Sequence, residues 1–222
     1  MPVTGAPTNF DLCTDALRKI GVVSVGSPAT AEEIETAQRA LGRMLKAWQA
    51  RTEMLWATTS MTVTLTTAGA YTLTPARPVD IVSVRLMAAG QETTLRRMTR
   101  DEWDRIGRKA TASRPTSWYY DRQREAGTLR VWPQLATPAG QTLAITYTRE
   151  LEDVVLADAA DVPGEWADAV VYGLAARLAD DFMVNAPSVI ARAEDELDKA
   201  MAFDREGSVY FVDTEWSDHA AP

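Results

Sequence analysis

The spacing of the apolar residues changes twice along the chain, and this change restricts the fold more than any other feature. Up to about Arg51, apolar residues recur every three or four positions, as on one face of a helix. From about Thr59 they alternate with polar residues, as in half-buried strands, and after Pro163 the helical spacing returns. The residues towards both ends are therefore predicted to be helical, and the residues between them to form sheets.

Two helices are predicted in the first part of the chain. An apolar stripe marks the first helix at 9–20, and Gly21 ends it. The second begins at Thr30, which forms a capping box with Glu33, and extends to about Arg51.

The middle of the chain is predicted to be rich in strands. They are expected near 61–65, 71–73, 81–86, 93–98, 117–121, 128–132 and 141–148. A turn at 68–70 predicts that the first two pair as a hairpin. Thr99 and Glu102 form another capping box, which predicts a short helix to about Gly107.

The helical spacing returns at Pro163, which suits the first turn of a helix because a proline lacks the amide that would be unpaired there. The chain breaks at 185–187, and a last helix is predicted from Pro187 to about Arg205. The remaining residues are aromatic and acidic. They can form an extended strand, although no partner strand lies nearby in the sequence.

These patterns predict an α+β fold. It consists of a helical bundle from the N- and C-terminal helices, an inserted β-rich domain and an extended C-terminal arm. The predicted boundaries are 1–58 for the N-terminal helices, 59–149 for the inserted domain, 150–207 for the C-terminal helices and 208–222 for the arm.

Few residues are suited to catalysis or cofactor binding. His219, the one histidine, lies in the terminal segment, and Cys13, the one cysteine, lies on an apolar stripe that predicts a buried structural role. We find no metal-ligand spacing and no glycine-rich phosphate loop, so we expect no cofactor, no metal and no enzymatic activity. A carboxylate-based cell-wall glycosidase is the remaining enzymatic alternative. Its candidate groups are Glu150/Glu152/Asp153, Asp180/Asp181 and Glu194/Asp195/Glu196.

The sequence also indicates where the protein is made. No apolar run approaches the roughly 20 residues that span a bilayer, and residues 1–10 lack the pattern of a secretory signal. A single cysteine cannot form an internal disulfide, which fits folding in a reducing cytoplasm. We therefore expect no membrane partner.

Charge is distributed unevenly along the chain. Residues 96–130 carry ten basic and five acidic groups, a net charge of +5, whereas 150–222 carry eighteen acidic and four basic groups, a net charge of −14. We predict a basic patch that contacts a neighbouring copy of the protein. Its residues are Arg96, Arg97, Arg100, Arg105, Arg108 and Lys109. Two alternatives remain open: solvated charged surfaces, and a nucleic-acid surface that includes the aromatic run 118–120.

The order of several short sequence marks resembles the head-to-tail adaptor proteins of tailed bacteriophages, also called tail accessory factors or head completion proteins. The marks are 16–22 at the end of the first helix, Leu41, Leu45 and Trp48 on the second, 63–65, the 69–73 turn, Leu-Arg-Val-Trp-Pro at 129–133, Val-Pro-Gly-Glu-Trp at 162–166 and Val-Tyr-Gly-Leu-Ala at 171–175. No single mark is specific, but their order and spacing agree over residues 1–205.

The resemblance implies a structural virion protein made in the host bacterial cytoplasm. Such proteins form a ring of about twelve copies beneath the portal. They extend a channel through which packaged DNA passes without sequence-specific binding, and they present a platform for tail or stopper proteins. Family members carry an arm onto the portal, so the resemblance assigns portal binding to Val209, Tyr210, Phe211, Val212 and Trp216. The alternative within the same class is a stopper or another tail-completion protein.

Overall fold

The structure is a computed structural model that describes residues 7–51, 54–74, 77–138 and 140–204, and its fold is α+β. The helices are α1 (Asn9–Lys19), α2 (Ala31–Gln49), α3 (Arg100–Asp104), α4 (Ala167–Asp181) and α5 (Pro187–Phe203). The strands are β1 (Thr58–Thr64), β2 (Ala70–Thr72), β3 (Asp80–Ala88), β4 (Gln91–Thr94), β5 (Arg96–Arg97), β6 (Ser117–Asp121), β7 (Thr128–Trp132) and β8 (Thr142–Thr148). Short 3₁₀ turns, Leu55–Ala57 and Gly164–Trp166, precede β1 and α4. The predicted fold class is confirmed.

Capping boxes determine where α1, α2 and α3 begin. The predicted boxes at Thr30 and Thr99 are both present. A third box, which was not predicted, begins α1. The Thr8 hydroxyl accepts a hydrogen bond from the Asp11 amide, and the Asp11 carboxylate accepts one from the Thr8 amide at 3.0 Å. These bonds satisfy amides that would otherwise be unpaired at a helix start. Helix α3 ends at Asp104, before the predicted Gly107.

Helices α1, α2, α4 and α5 pack around one hydrophobic core, which Leu17, Leu41 and Leu174 help to fill. Cys13 is fully buried there, as predicted, and burial raises the pKa of its thiol to about 12. Helices α2 and α4 come close together at Gly173, where an added Cβ would lie 2.7 Å from the Trp48 ring. The absence of a side chain at Gly173 therefore leaves space for Trp48.

The β-rich region contains two four-stranded sheets, ordered β1-β8-β3-β4 and β2-β7-β6-β5. Their buried side chains form a second hydrophobic core, in which Trp118, Leu129 and Ile145 are almost fully inaccessible. Buried and half-buried residues alternate along β7 and β8, so every second side chain packs against this core.

The predicted hairpin between the strand at 61–65 and the strand at Tyr71 is wrong. Strand β1 pairs with β8, whereas β2 pairs with β7 in the other sheet. The chain crosses between the sheets at Gly69, whose φ is 65°. Its carbonyl accepts a hydrogen bond from the Val131 amide of β7 at 2.9 Å, so pairing with the other sheet begins directly before β2. The predicted strand 93–98 is also divided, since β4 pairs with β3 and β5 pairs with β6.

Candidate functional site

The residues of the predicted basic patch occupy β5, α3 and the loop that follows α3. Arg96 and Arg97 form β5, Arg100 begins α3, and Arg105 lies directly after α3. Arg97 and Arg100 line a shallow depression together with Tyr119 and Asp121 of β6. The structure therefore brings several of these residues to one surface.

Carboxylates accompany most of the cations on this surface. The Arg96 guanidinium lies 2.7 Å from the Glu102 carboxylate, and Arg105 lies 2.7 Å from Asp101. Arg100 is 3.7 Å from both Asp104 and Asp121. Exposed pairs of this kind contribute little stability, so the arginines can exchange their carboxylate partners for those of another protein.

Asp80 of β3 connects this surface to the first sheet. Its carboxylate lies 2.9 Å from the Arg97 guanidinium and 2.7 Å from that of Arg122. Burial alone would raise the pKa of Asp80, but hydrogen bonds from the two arginines outweigh burial and lower it. Asp80 is therefore held ionised and keeps both arginines in place.

Arg108 and Lys109 differ from the other members of the patch. Across the described ranges, neither forms an ion pair with a carboxylate. The Lys109 ammonium donates to the carbonyls of Asp104 and Ile106, at 3.4 and 3.3 Å, and lies 6.0 Å from the centre of the Trp103 ring. These two residues are the cations of the patch most available to a partner's carboxylates.

The acidic counterpart lies on α5 and at the end of α4. Glu194, Asp195 and Asp198 are exposed on α5, where Lys199 neutralises Asp195 at 2.7 Å. Asp180 and Asp181 are exposed in the last turn of α4. Negative charge is unfavourable at a helix C-terminus because it adds to the negative end of the helix dipole. A cationic partner there would relieve that repulsion.

A connection without regular structure, residues 149–163, joins β8 to the C-terminal helices. At its start, the Arg149 guanidinium donates to both oxygens of Asp161 at 2.6 Å. Asp161 also accepts the Glu152 amide at 3.0 Å. Burial would raise the pKa of Asp161, but the hydrogen bonds from Arg149 and the Glu152 amide lower it. This pair closes the connection into a loop.

Side chains of α1 and α2 hold the same connection against the bundle. Gln49 donates to the Arg149 carbonyl at 2.7 Å and accepts the Leu151 amide at 3.2 Å. Lys46 donates to the Leu151 carbonyl, and Gln38 to the Val154 carbonyl. Asn9, only 4% exposed, donates to the Val155 carbonyl at 2.8 Å. These contacts were not predicted from the sequence, because their partners are 100 or more residues apart.

Two of the carboxylates proposed for a glycosidase form ion pairs with a lysine. Glu150 and Asp153 lie 3.0 and 3.4 Å from the Lys46 ammonium. These groups are suited to ion pairing.

The remaining predicted residues lie beyond the part of the chain that the structure describes. The portal-binding residues Val209, Tyr210, Phe211, Val212 and Trp216 fall in 205–222, as does His219. Within the described ranges, no helix is long and apolar enough to cross a membrane, and no cluster of three potential metal ligands occurs.

Comparison with known proteins decides the family. A family model described as SU10 adaptor protein matches residues 10–212. The chain belongs to the SU10 adaptor protein family. The predicted membership of the head-to-tail adaptor family is confirmed, and the protein is a structural protein of the phage neck or adaptor class.

Other comparisons add little to that assignment. A solved chain, described as the neck of an empty GTA particle computed with C6 symmetry, is 19% identical and has a TM-score of 0.30. The match covers 87% of this adaptor and 92% of the solved chain. A TM-score of 0.30 does not establish a common fold, so the assignment rests on the family match. No curated protein matches the chain.

Proposed function

We propose that this adaptor forms a ring of about twelve copies beneath the portal. The ring extends the channel through which packaged DNA passes and provides the platform to which tail or stopper proteins attach. The family match over residues 10–212 is the observation that carries this proposal. The proposed place of the protein is the head-to-tail neck of the virion, after synthesis in the host cytoplasm.

Charge supports the ring. Each subunit of a ring contacts its two neighbours through two different faces, which have to be complementary. The basic patch, at Arg108 and Lys109, and its acidic counterpart on α5 meet this requirement. The net charge of −8 also suits a DNA channel, because strong phosphate binding would slow the passage of DNA.

The proposal includes the domain organisation given by the sequence. The separate cores of the helical bundle and of the two sheets support a boundary between the helices and an inserted β-rich domain. The arm, 208–222, is proposed to contact the portal through Val209, Tyr210, Phe211, Val212 and Trp216.

The proposal is tested by mixing the purified adaptor with the portal protein of the same phage. Sedimentation velocity is expected to show a species near 24.4 kDa for the adaptor alone. On the portal we expect a gain of about twelve copies, counted by mass photometry. A protein that fails to bind the portal but binds another neck protein would instead be a stopper or tail-completion factor.

Removing residues 208–222 is expected to weaken portal binding by about tenfold, because an aromatic arm that docks buries apolar surface. The measurement is a binding titration of the full chain and the shortened chain against immobilised portal. Circular dichroism of both chains controls for folding. Equal portal affinity with and without the arm would contradict the assignment of its five residues.

Charge reversal at Arg108 is expected to weaken ring formation. We expect Arg108→Glu to reduce the number of copies retained on the portal, and a rise in salt from about 0.05 to 0.5 M to reduce it in the wild type. The matched control is Arg43→Glu, since Arg43 is exposed on α2 and belongs to neither charged surface. Salt-insensitive assembly, or equal effects of the two variants, would indicate apolar ring contacts.

A further inference from the structure

Strand β1 is the longest edge strand of the two sheets and the least protected. It has seven residues, whereas the other edge strands, β4, β2 and β5, have four, three and two. Its sequence, TTSMTVT, contains no charge, no proline and no glycine. Proteins generally shorten or charge their free sheet edges, because such an edge pairs readily with another strand. An edge like β1 is therefore suited to strand addition.

The hydrogen bonds beside β1 show which of its backbone groups face outward. The Arg149 amide donates to the Ala57 carbonyl at 2.9 Å, and the Leu65 amide donates to the Gln141 carbonyl at 3.0 Å. Bonded and non-bonded pairs alternate along antiparallel strands. In the β1–β8 register, odd-numbered residues of β1 therefore bond to β8. The outward groups are those of Thr58, Ser60, Thr62 and Thr64, and none of these has a backbone partner among the described residues.

A basic cleft adjoins the Thr58 end of this edge. Its volume is about 970 Å³, and Thr58, Thr146 and Thr148 form part of its wall. Lys46, Arg51, Arg77 and Arg122 line it, together with the acidic residues Asp80 and Glu150. Across the described ranges, Arg51 and Arg77 form no ion pair. The cleft therefore has two cations available for an acidic partner.

We propose that the β1 edge of one adaptor binds residues 208–213 of a neighbouring copy as an added antiparallel strand. Residues 209–212 are two valines, a tyrosine and a phenylalanine, which favour strands. An antiparallel strand passes from Thr64 towards Thr58, so Asp213 and Glu215 lie beside the basic cleft. A parallel strand would carry them to the opposite end, and charge therefore selects the direction.

The length of the chain limits how far this exchange can reach. Ser208, the first residue of the added strand, can lie at most about 14 Å from Asp204 at the end of α5. The exchange therefore requires α5 of one subunit to end close to the Thr64 end of its neighbour's β1. The inference rests on the proposed ring and adds a second contact between its subunits. It is compatible with portal binding by the arm, because an added strand uses backbone groups while its side chains alternate between the two faces.

The test removes one outward amide from the full-length protein. In Thr62→Pro the lost N–H is not bonded to β8, and proline is tolerated at an edge position of this kind. Thr62→Ala, the matched control, removes the same side chain but keeps the amide. The probe is a synthetic peptide with the sequence of residues 206–218, titrated into each ¹⁵N-labelled protein. The readouts are amide shifts and hydrogen exchange at Ser60 and Thr64 in all three proteins, and also at position 62 in the wild type and in Thr62→Ala.

We expect the peptide to perturb and protect the β1 amides of the wild type and of Thr62→Ala. In Thr62→Pro we expect binding about tenfold weaker. Arg51→Gln is expected to weaken binding at low salt only. A peptide carrying Phe211→Pro is expected to bind less tightly. Without peptide, protection in the wild type should rise with protein concentration.

Two results would overturn the inference. Protection of the β1 amides that is independent of protein concentration would mean that each chain places its own arm on its own edge. No protection at any protein or peptide concentration would mean that the arm does not pair with β1. Neither result affects the count of copies on the portal, which tests the ring separately.

Discussion

Replacing Trp166 by alanine is expected to lower the free energy of unfolding by about 4 kcal/mol. Trp166 is 1% exposed, and its ring centre lies 6.1 Å from that of Trp48 and 6.4 Å from that of Trp56. It also ends the 3₁₀ turn that precedes α4. Alanine would leave a large cavity between α2 and α4 and would remove both aromatic contacts. Urea denaturation followed by tryptophan fluorescence and by circular dichroism measures the change.

Phe10→Ala is the control for the loss of an aromatic side chain, because Phe10 is 45% exposed on α1. We expect this variant to cost less than about 1 kcal/mol. A loss below about 1 kcal/mol for Trp166→Ala as well would show that the three tryptophans do not hold the bundle together.

The substitution Asp161→Asn is expected to cost about 2 kcal/mol at neutral pH. It keeps the shape of the side chain but removes the charge that the Arg149 guanidinium bonds with two donors. The Asp161 side chain is only 20% exposed and that of Arg149 31%, so water replaces the lost charge poorly. The control is Asp15→Asn, which alters an exposed pair with Arg18 and should cost about 0.5 kcal/mol or less.

The same pair gives a prediction for pH. The folded state lowers the pKa of Asp161, so the stabilisation is complete above the ordinary aspartate pKa of about 3.9 and is lost as the pH falls through the lower, folded value. Wild type and Asp161→Asn should therefore differ most near pH 7 and converge in strong acid. A difference between them that is independent of pH would show that the carboxylate charge is not what stabilises the connection.

Features that depend on neighbouring residues were predictable from the sequence. A capping box needs only two residues three positions apart, and the boxes at Thr30 and Thr99 begin helices as predicted. The box at Thr8 has the same spacing but uses aspartate in place of glutamate, so a slightly broader pattern would have found it. The partner of β2 was not predictable in this way, because a sheet pairing depends on residues about 60 positions further along the chain.

The charge of the basic surface was predictable from the sequence, but the pairing of its charged side chains was not. The count of basic residues in 96–130 identified a charged surface, yet it did not show that Asp80 would hold Arg97 and Arg122. The contacts of the 149–163 connection were missed for a related reason. Gln49, Lys46 and Asn9 are unremarkable in sequence, and only the fold brings them to the backbone groups that they satisfy.

Because the bundle combines α1 and α2 with helices that follow every strand of the sheets, it cannot form until α4 and α5 have been made. When α2 leaves the ribosome, α4 has not been made, and at ordinary elongation rates the delay is roughly 10 s. During that interval Trp48 and the apolar stripe of α2 have no α4 to cover them, whereas every strand of the two sheets is made before α4. The sheets can therefore fold first, and they would then act as a tether that keeps α1 and α2 close to the point where their partners emerge.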